Sequence, residues 1–523
     1  MTERPLTPPS IIEDDAVEAA IEPLEERLAL GGRTLREHTA WGGIVNSLFQ
    51  VGLAFFGLLQ RVAVAAFLTT SEYGLWGLLI ATLITLSWLK QVGISDKYVQ
   101  QDEGDQELAF QKAFTLELAY TGVFLVLALA AMPLYALLYG RPEILVPGMV
   151  LCAAFLTTAL HTPIWIAYRQ MRFVRQRTLE AIDPVIAGVV TIALAAAGLG
   201  YWSLIIGVLV GSVCGAIAAI VTCPYPIRLR YDRGTLREYF SFSWPLLLAG
   251  ASSLVIVQGA VVVGNFTVGL AGLGALALAT NFAMFADRVD MLIRRTIYPA
   301  VAAVKDRTDL LFETFTKSNR LALMWAMPFG VALALFAPDL VTHVLGERWR
   351  EAETLLQAFG LILAFRQVAF NWTVFFNAVG QTRPMAINGA VAVVIFALVT
   401  APLMLWIGLD GYIIGMSVAV AVDIGLRGYF LSRLFRGFHV GRHLVRAVAP
   451  SVPATVLILG VRAAVDAERT LGLALAELGL YALATVAATW IFERQLLTEV
   501  LGYLRRAVRP SPAGSAGERA AAA

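Results

Sequence analysis

Three arginines lie inside long apolar stretches of this sequence and are its first candidates for chemistry. Arg61, Arg288 and Arg366 each lack an acidic residue three or four positions away, so none has an ion-pair partner on its own helix. A charged side chain in a membrane span is costly and is a functional candidate by default. Arg366 lies near the middle of its stretch, whereas the other two lie nearer opposite ends. We predict that these arginines line a hydrated cavity, and Arg366 is the strongest candidate of the three. The alternative is that they form buried hydrogen bonds between helices.

Uncharged polar side chains accompany two of these arginines. Such groups either line a hydrated cavity beside a charge or hydrogen-bond across helices. The side chains predicted to line the cavity are Asn46, Gln50 and Gln60 on the stretch of Arg61, and Gln367 and Asn371 on the stretch of Arg366.

Two aspartates in apolar stretches are candidates for ion coupling. Asp287 directly precedes Arg288, and Asp423 lies four residues before Arg427. Because residues four apart meet on one face of a helix, a structural ion pair of Asp423 with Arg427 remains open as an alternative.

Two local patterns concern helix ends and helix packing. Asp183 precedes Pro184, the order of an N-cap and a proline at the first helical position, so the sequence predicts that a helix begins there. Gly207, Gly211 and Gly215 form two consecutive GxxxG steps, which predict a face for close helix packing.

No combination of residues predicts catalysis, a metal site or a cofactor. Among the five histidines only His439 and His443 are four apart, without a carboxylate or thiolate nearby. The three cysteines do not have metal-ligand spacing. Phosphate-binding loops, dinucleotide fingerprints and nucleophile elbows are also absent from the sequence. We therefore predict a protein that is not an enzyme, and whose work is driven by a gradient or by its cargo.

The composition indicates an integral membrane protein. Hydrophobic residues make up 58% of the chain and charged residues 15%, with a mean hydropathy of +0.71. The net charge of +2 is too small to suggest nucleic acid as a partner. Apolar runs of about 20 residues predict an all-α fold of about fourteen transmembrane helices. These runs lie near residues 40–67, 75–95, 109–136, 144–167, 183–199, 202–222, 241–265, 273–293, 321–345, 352–379, 385–407, 411–432, 445–464 and 471–491.

The distribution of basic residues predicts the orientation. If the N-terminus is cytosolic, clusters of arginine near residues 169–177, 228–237 and 433–446 fall on the cytosolic side. The outer loops then hold only Arg141, Arg348, Arg350, Arg462 and Arg469. This asymmetry follows the positive-inside rule and places both termini in the cytosol. Since the outer loops are short, function is expected inside the bundle or on its cytosolic face.

A short repeat divides the chain in two. The sequence Thr-Leu-Arg-Glu occurs at residues 34–37 and again at 235–238, each time before the first long apolar run of a half. We therefore predict the following segments: a mostly disordered cytosolic tail at 1–39, a six-helix lobe at 40–223, a cytosolic linker at 224–240, a second six-helix lobe at 241–436, helices 13 and 14 at 437–495, and a disordered cytosolic tail at 496–523.

Several short sequences in a fixed order carry a family resemblance that covers roughly residues 40–435. The chain resembles the polysaccharide transporter (O-antigen flippase, Wzx-type) family of the multidrug/oligosaccharidyl-lipid/polysaccharide (MOP) superfamily. The sequences are SEYGL at 71–75, QVGI at 91–94, FSWP at 242–245, IYPA at 297–300, LGERW at 345–349 and NAVGQ at 377–381.

This resemblance implies a fold and a function. The fold is two six-helix lobes, as in MATE transporters, around a cavity that opens alternately to each side, plus two C-terminal helices. The cargo is an undecaprenyl-diphosphate-linked oligosaccharide moved to the outer leaflet of the bacterial inner membrane, with polysaccharide polymerases and glycosyltransferases as partner proteins. Arg366, with Arg61 and Arg288, would hold the diphosphate, because guanidinium groups bind phosphate oxygens bidentately.

Two other functions remain open. A cation-coupled drug antiporter of the same fold would favour unpaired carboxylates in the cavity, whereas this sequence offers arginines. A membrane-embedded polysaccharide polymerase or ligase would carry a large outer loop with acidic and basic residues, and the outer loops here are short.

Overall fold

The computed structural model describes residues 35–90, 94–100, 103–232, 251–291, 307–381, 383–464 and 468–508, and the single positions 293 and 301. These residues form helices and short connections without a strand, which confirms the predicted all-α class. Residues 1–34 and 509–523 of the predicted tails, and residues 233–240 of the predicted linker, lie outside the described ranges.

The first lobe is built from helices that follow one another along the chain. In the described residues these are α1 (Leu35–Phe67), α2 (Thr70–Lys90), α3 (Ile94–Gln100), α4 (Gln106–Tyr139), α5 (Leu145–Leu160), α6 (Ile164–Arg169), α7 (Phe173–Ala196) and α8 (Trp202–Val221).

The second lobe and the C-terminal helices follow. The described helices of the second lobe are α9 (Ala251–Thr267), α10 (Gly269–Ala283), α11 (Thr308–Leu340), α12 (Arg350–Arg366), α13 (Trp372–Ala378), α14 (Arg383–Ile395) and α15 (Ala401–Leu434). The C-terminal helices are α16 (Val440–Val448), α17 (Val452–Ala464) and α18 (Leu471–Val508).

Where the structure describes them, the predicted apolar runs fall mainly on helical structure. In the described part of the chain, 11 helical segments are long and apolar enough to cross a membrane. The runs at 385–407 and 411–432 lie within one of these segments, but the chain turns back at Gly408, where φ is +64°, and a Cβ atom on Gly415 would lie 2.5 Å from Cα of Thr400. The run at 352–379 is interrupted between α12 and α13. The count of fourteen and the lobe boundaries therefore stay predictions.

The predicted helix start at Asp183 is wrong. Asp183 and Pro184 lie in the interior of α7, which begins ten residues earlier at Phe173. Tertiary packing explains the difference, because α8 lies against this part of α7 through the GxxxG face. A side chain on Gly211 would meet the Asp183 carbonyl and Ala187. The close packing holds the proline in a helix that its sequence context would otherwise end.

The two lobes are held together by an inter-lobe seal at one end of the bundle, which we define by Gly74 and Thr70 of α2, Gly274 of α10, and Ala65 and Trp349. A Cβ atom on Gly74 would collide with the backbone of α10, and one on Gly274 would collide with the Thr70 carbonyl. Trp349 donates a 2.9 Å hydrogen bond to the Ala65 carbonyl. The lobes are therefore closed against each other at this end, which is the predicted outer end.

Ion pairs attach the C-terminal helices to the second lobe at the same end. Asp339, 7% exposed, is at the end of α11, and Glu477, 4% exposed, is on α18. Arg462 bonds Glu477 at 2.8 Å, and Arg469 bonds Asp339. Two predicted outer-loop arginines are thus structural, since they neutralise two buried carboxylates.

Candidate functional site

The break between α12 and α13 creates the site in the second lobe. Ala369, in the break, adopts a left-handed conformation with φ of +57°. The Arg427 guanidinium donates to the carbonyls of Arg366 (2.7 Å) and Val368 (3.1 Å), which the interrupted helix leaves without amide donors. Asn319 of α11 accepts from the Ala369 amide at 2.9 Å. Side chains from two other helices thus stabilise non-helical backbone at membrane depth.

The break directs two side chains at one carboxylate. The Gln367 amide, fully buried, donates to Asp287, and Arg366 lies 3.4 Å from the same carboxylate. Arg366 has no acidic partner on its own helix, as predicted, but it has one on another element. Its partner is 79 positions away in the chain, so helical spacing could not show it. The Arg366 side chain nevertheless remains 34% exposed, so a part of it is accessible to a ligand.

The two ion-coupling candidates both have partners. Asp287 accepts from Gln367 and pairs with Arg366. Asp423 pairs with Arg427 and accepts a 2.9 Å hydrogen bond from Asn388. The structural ion pair that the spacing of Asp423 and Arg427 left open is thus present. Neither carboxylate is an unoccupied cation ligand in this conformation.

The other two arginines meet at one aromatic ring from opposite lobes. The guanidinium carbon of Arg61, on α1, lies 5.6 Å from the centre of the Phe285 ring, and that of Arg288 lies 5.3 Å from it. The two cations cannot be further apart than the sum of these distances. Trp325 holds the backbone at Phe285 by donating a 2.8 Å hydrogen bond to its carbonyl. Among the described residues, no carboxylate forms an ion pair with Arg61 or Arg288.

Unsatisfied donors indicate what the arginines can bind. The Nε atoms of Arg288 and Arg366 are buried and have no hydrogen-bond partner in the described part of the chain. Buried donors without acceptors are costly and are expected to have a partner in a functional complex. Arg61 and Arg288 at Phe285, and Arg366 at Asp287, outnumber the two buried carboxylates of this stretch, Asp287 and Asp290, so an excess of positive charge remains. The chemistry that matches is an anion with several acceptor oxygens.

The predicted cavity side chains lie in different surroundings. Asn46 and Gln50 are half-buried on α1, and the Oδ1 atom of Asn46 is buried without a partner in the described residues. Gln60 instead faces Gly188 of its own lobe. Asn371 is fully buried and donates a 2.7 Å hydrogen bond to Ser318. The structure thus places Asn371 in the packing of the second lobe and not at a cavity surface.

Two site residues were missed by the sequence reading. Asn319, fully buried, holds both sides of the break, since its side-chain amide also donates to the Gln367 carbonyl at 3.0 Å. Phe285 is the ring that both cations share. A polar residue within an apolar run was a usable signal for Asn319, whereas nothing in the sequence distinguishes Phe285 from other buried aromatic residues.

Replacing Arg427 with methionine is expected to lower the free energy of unfolding by about 3–5 kcal/mol, because the change leaves Asp423 without its ion-pair partner and two backbone carbonyls without their donor. Reversible unfolding in mixed micelles measures the difference. Arg433, exposed on the same helix, provides the matched control, and Arg433→Met should cost under about 1 kcal/mol. Equal losses in the two variants would contradict the assigned role of Arg427.

Together the fold and the site define a two-lobed, polytopic membrane protein with a positively charged site between its lobes. Solved structures of this fold class match the chain. The inward closed conformation of the lipid II flippase MurJ aligns with a TM-score of 0.64 and 14% identity, covering 87% of this chain and 100% of that one. An inward-facing multidrug resistance MATE family transporter of the MOP superfamily aligns with a TM-score of 0.58 and 14% identity, over 74% and 98%.

The chain belongs to the family described as "Polysaccharide biosynthesis protein", whose model matches residues 63–354. Two relatives agree with this assignment. The succinoglycan biosynthesis transport protein ExoT of Rhizobium meliloti (strain 1021) is 22% identical over 69% of this chain and 75% of its own. An uncharacterized membrane protein in the cps region of Klebsiella pneumoniae is 22% identical over 79% and 86%. The resemblance to the polysaccharide transporter family and the MOP fold is confirmed.

Proposed function

We propose that this protein is a flippase that moves a polyprenyl-diphosphate-linked oligosaccharide from the cytosolic to the outer leaflet of the bacterial inner membrane. The observation that carries the proposal is the pairing of Arg61 and Arg288, from opposite lobes, on one aromatic ring. Family membership supports a role in polysaccharide biosynthesis. One relative is named for succinoglycan transport and one structural neighbour for lipid II flipping, which supports a lipid-linked sugar as cargo.

The site offers a physical mechanism for this cargo. A diphosphate carries a charge that is costly to move through a low-dielectric region, and arginines compensate it without changing protonation state. The like charges of Arg61 and Arg288 repel each other when the site is empty. A diphosphate between them turns that repulsion into attraction for both lobes. Binding therefore favours a conformation in which the lobes approach on the cargo, which is the differential interaction that alternating access requires.

Asp287 has a clear place in this cycle. It holds Arg366 and Gln367 while the site is empty, so the arginine side chain is positioned before the cargo arrives. Pre-positioning lowers the entropy lost on binding. On this proposal Arg366 is the third diphosphate ligand and Asp287 its positioning residue. Polymerases and glycosyltransferases of the same polysaccharide are the proposed partner proteins, and both termini of the chain are proposed to be cytosolic.

Replacing Arg366 with alanine is expected to reduce flipping by at least about tenfold while the protein remains in the membrane. The measurement is the flipping of a fluorescent polyprenyl-diphosphate oligosaccharide in proteoliposomes, followed by quenching of the label in the outer leaflet. Arg383, exposed at the start of α14, provides the matched control, because Arg383→Ala removes one positive charge elsewhere. Wild-type flipping by the Arg366 variant would exclude it as a ligand, and failure of the wild-type protein to flip the lipid would refute the proposed function.

A further inference from the structure

A histidine and an aspartate of the first lobe meet at the third glycine of the GxxxG face. His161 follows the last residue of α5, Asp183 lies inside α7, and Gly215 is on α8. A Cβ atom on Gly215 would lie 2.8 Å from Nε2 of His161 and 3.3 Å from Cβ of Asp183. Both side chains therefore border the space that the glycine leaves, and each is only half-buried.

One hydrogen bond of His161 shows which ring nitrogen carries the hydrogen in the neutral form. Its Nε2 atom lies 3.2 Å from the Ser212 carbonyl, and a carbonyl oxygen can only accept. Nε2 therefore carries a hydrogen in both charge states, and the proton that exchanges is the one on Nδ1. The Ser212 hydroxyl lies 2.7 Å from that of Thr157, which ties α5 to α8 at the same level. The imidazole is thus held in place from one side while the other nitrogen remains able to titrate.

In the described part of the chain, the charged groups around this pair are committed elsewhere. Glu180, one turn before Asp183, binds Arg177. Arg169 of α6 donates to two backbone carbonyls at the end of α3. α8 faces the pair with the Ser212 backbone carbonyl and Gly215. On the described side chains of α1, the charge is that of Arg61, which lies on the Phe285 ring. His161 and Asp183 are therefore each other's titratable neighbour.

We propose that His161 and Asp183 form a proton-binding site in the first lobe, and that a proton bound there couples a proton gradient to flipping. The coupling rests on the proposed function, whereas the binding site does not. When Nδ1 takes up a proton, the pair changes from one net negative charge to none. That change occurs where α5, α7 and α8 are packed through glycine without room for larger groups, so it biases the arrangement of the three helices. Asp287 and Asp423, which bind side chains of the second lobe, do not have this freedom.

The binding site can be tested by nuclear magnetic resonance on the full chain in nanodiscs. Labelling Cε1 of histidine with ¹³C gives five signals, because the chain has five histidines, and His161→Gln identifies the one of interest. We expect that signal to shift with pH, and its titration midpoint to move to lower pH in Asp183→Asn, because a neutral amide no longer stabilises imidazolium. The four other signals report whether the variant is folded. A constant His161 signal, or an unchanged midpoint, would overturn the site.

The coupling is tested separately in proteoliposomes with an imposed pH gradient and the fluorescent polyprenyl-diphosphate oligosaccharide. We expect the pH gradient to increase the flipping rate of the wild-type protein. In His161→Gln and Asp183→Asn this increase in rate should be at least about tenfold smaller. His343→Gln changes a histidine at the predicted outer end of the second lobe, and this variant should keep the increase in flipping rate. Equal acceleration in all proteins would overturn the coupling. Absence of wild-type flipping would refute the proposed function while the titration result stands.

Discussion

Replacing either Arg61 or Arg288 with alanine is expected to weaken binding of a polyprenyl diphosphate by at least about 30-fold and to abolish flipping. Removing one member of a buried, hydrogen-bonded charge pair costs about 2–5 kcal/mol, and each 1.4 kcal/mol is a factor of ten in affinity. The two losses should be similar although the residues belong to different lobes, because both cations face the same Phe285 ring. Binding of a fluorescent polyprenyl diphosphate to the purified protein measures the change.

Lysine variants and a smaller ligand make this prediction specific. Arg61→Lys keeps the charge but loses bidentate geometry, so it should bind with intermediate affinity. A polyprenyl monophosphate should bind the wild-type protein less tightly and lose less on Arg61→Ala, since it cannot span both guanidinium groups. Exposed Arg383 again serves as the control for net charge. Unchanged diphosphate affinity in Arg61→Ala would remove the first lobe from the cargo site.

The sequence predicted the helices well because their determinants are local. A run of about 20 apolar residues has to be helical in a bilayer, since the backbone finds no other hydrogen-bond partners there. The described runs are accordingly helical, with the exception of the break within 352–379. The GxxxG face of α8 was also predicted correctly, because small residues at that spacing allow helices to approach closely wherever they occur.

The break between α12 and α13 could not be predicted in the same way, because its determinants are distant. Residues 352–379 read as one apolar run. The break is stabilised by Arg427 and Asn319, whose contacts with it cross 48 to 61 positions of the chain. The Arg366 and Asp287 pair likewise depends on how α12 packs beside the turn after α10. Spacing along one helix reveals partners such as Asp423 and Arg427, but not partners on two helices.

The same limit explains the ranking of the three arginines. Depth along the sequence favoured Arg366, because it is furthest from both ends of its run. The structure gives Arg366 a carboxylate partner and leaves Arg61 and Arg288 on a shared ring between the lobes. The distance between two arginines on different lobes changes when the lobes move apart, whereas a binding residue on one lobe keeps its surroundings. The arginines nearer the ends of their runs are therefore as central to the proposed mechanism as the one in the middle.

Locking the inter-lobe seal with a covalent cross-link is expected to stop flipping, and cleaving the link to restore it. The Arg348 guanidinium contacts the Ala66 carbonyl across the lobes. Cysteines at positions 66 and 348, joined by a bis-methanethiosulfonate reagent about as long as an arginine side chain, should hold the seal closed. Alternating access requires this end to open, so flipping should fall by at least about tenfold and return after reduction. The proteoliposome assay measures both steps.

A link within one lobe distinguishes immobilisation from chemical modification. Glu347 and Arg350, joined by a 2.7 Å ion pair and both exposed, lie at the same end of the bundle but belong to the same lobe. The same reagent on cysteines at 347 and 350 should leave flipping unchanged, because no movement between lobes is blocked. Both pairs are placed in a chain whose native Cys152, Cys214 and Cys223 are replaced by serine, so that the reagent has no other targets. Flipping that continues with the seal cross-linked would mean that the cargo crosses without separation of the lobes at this end.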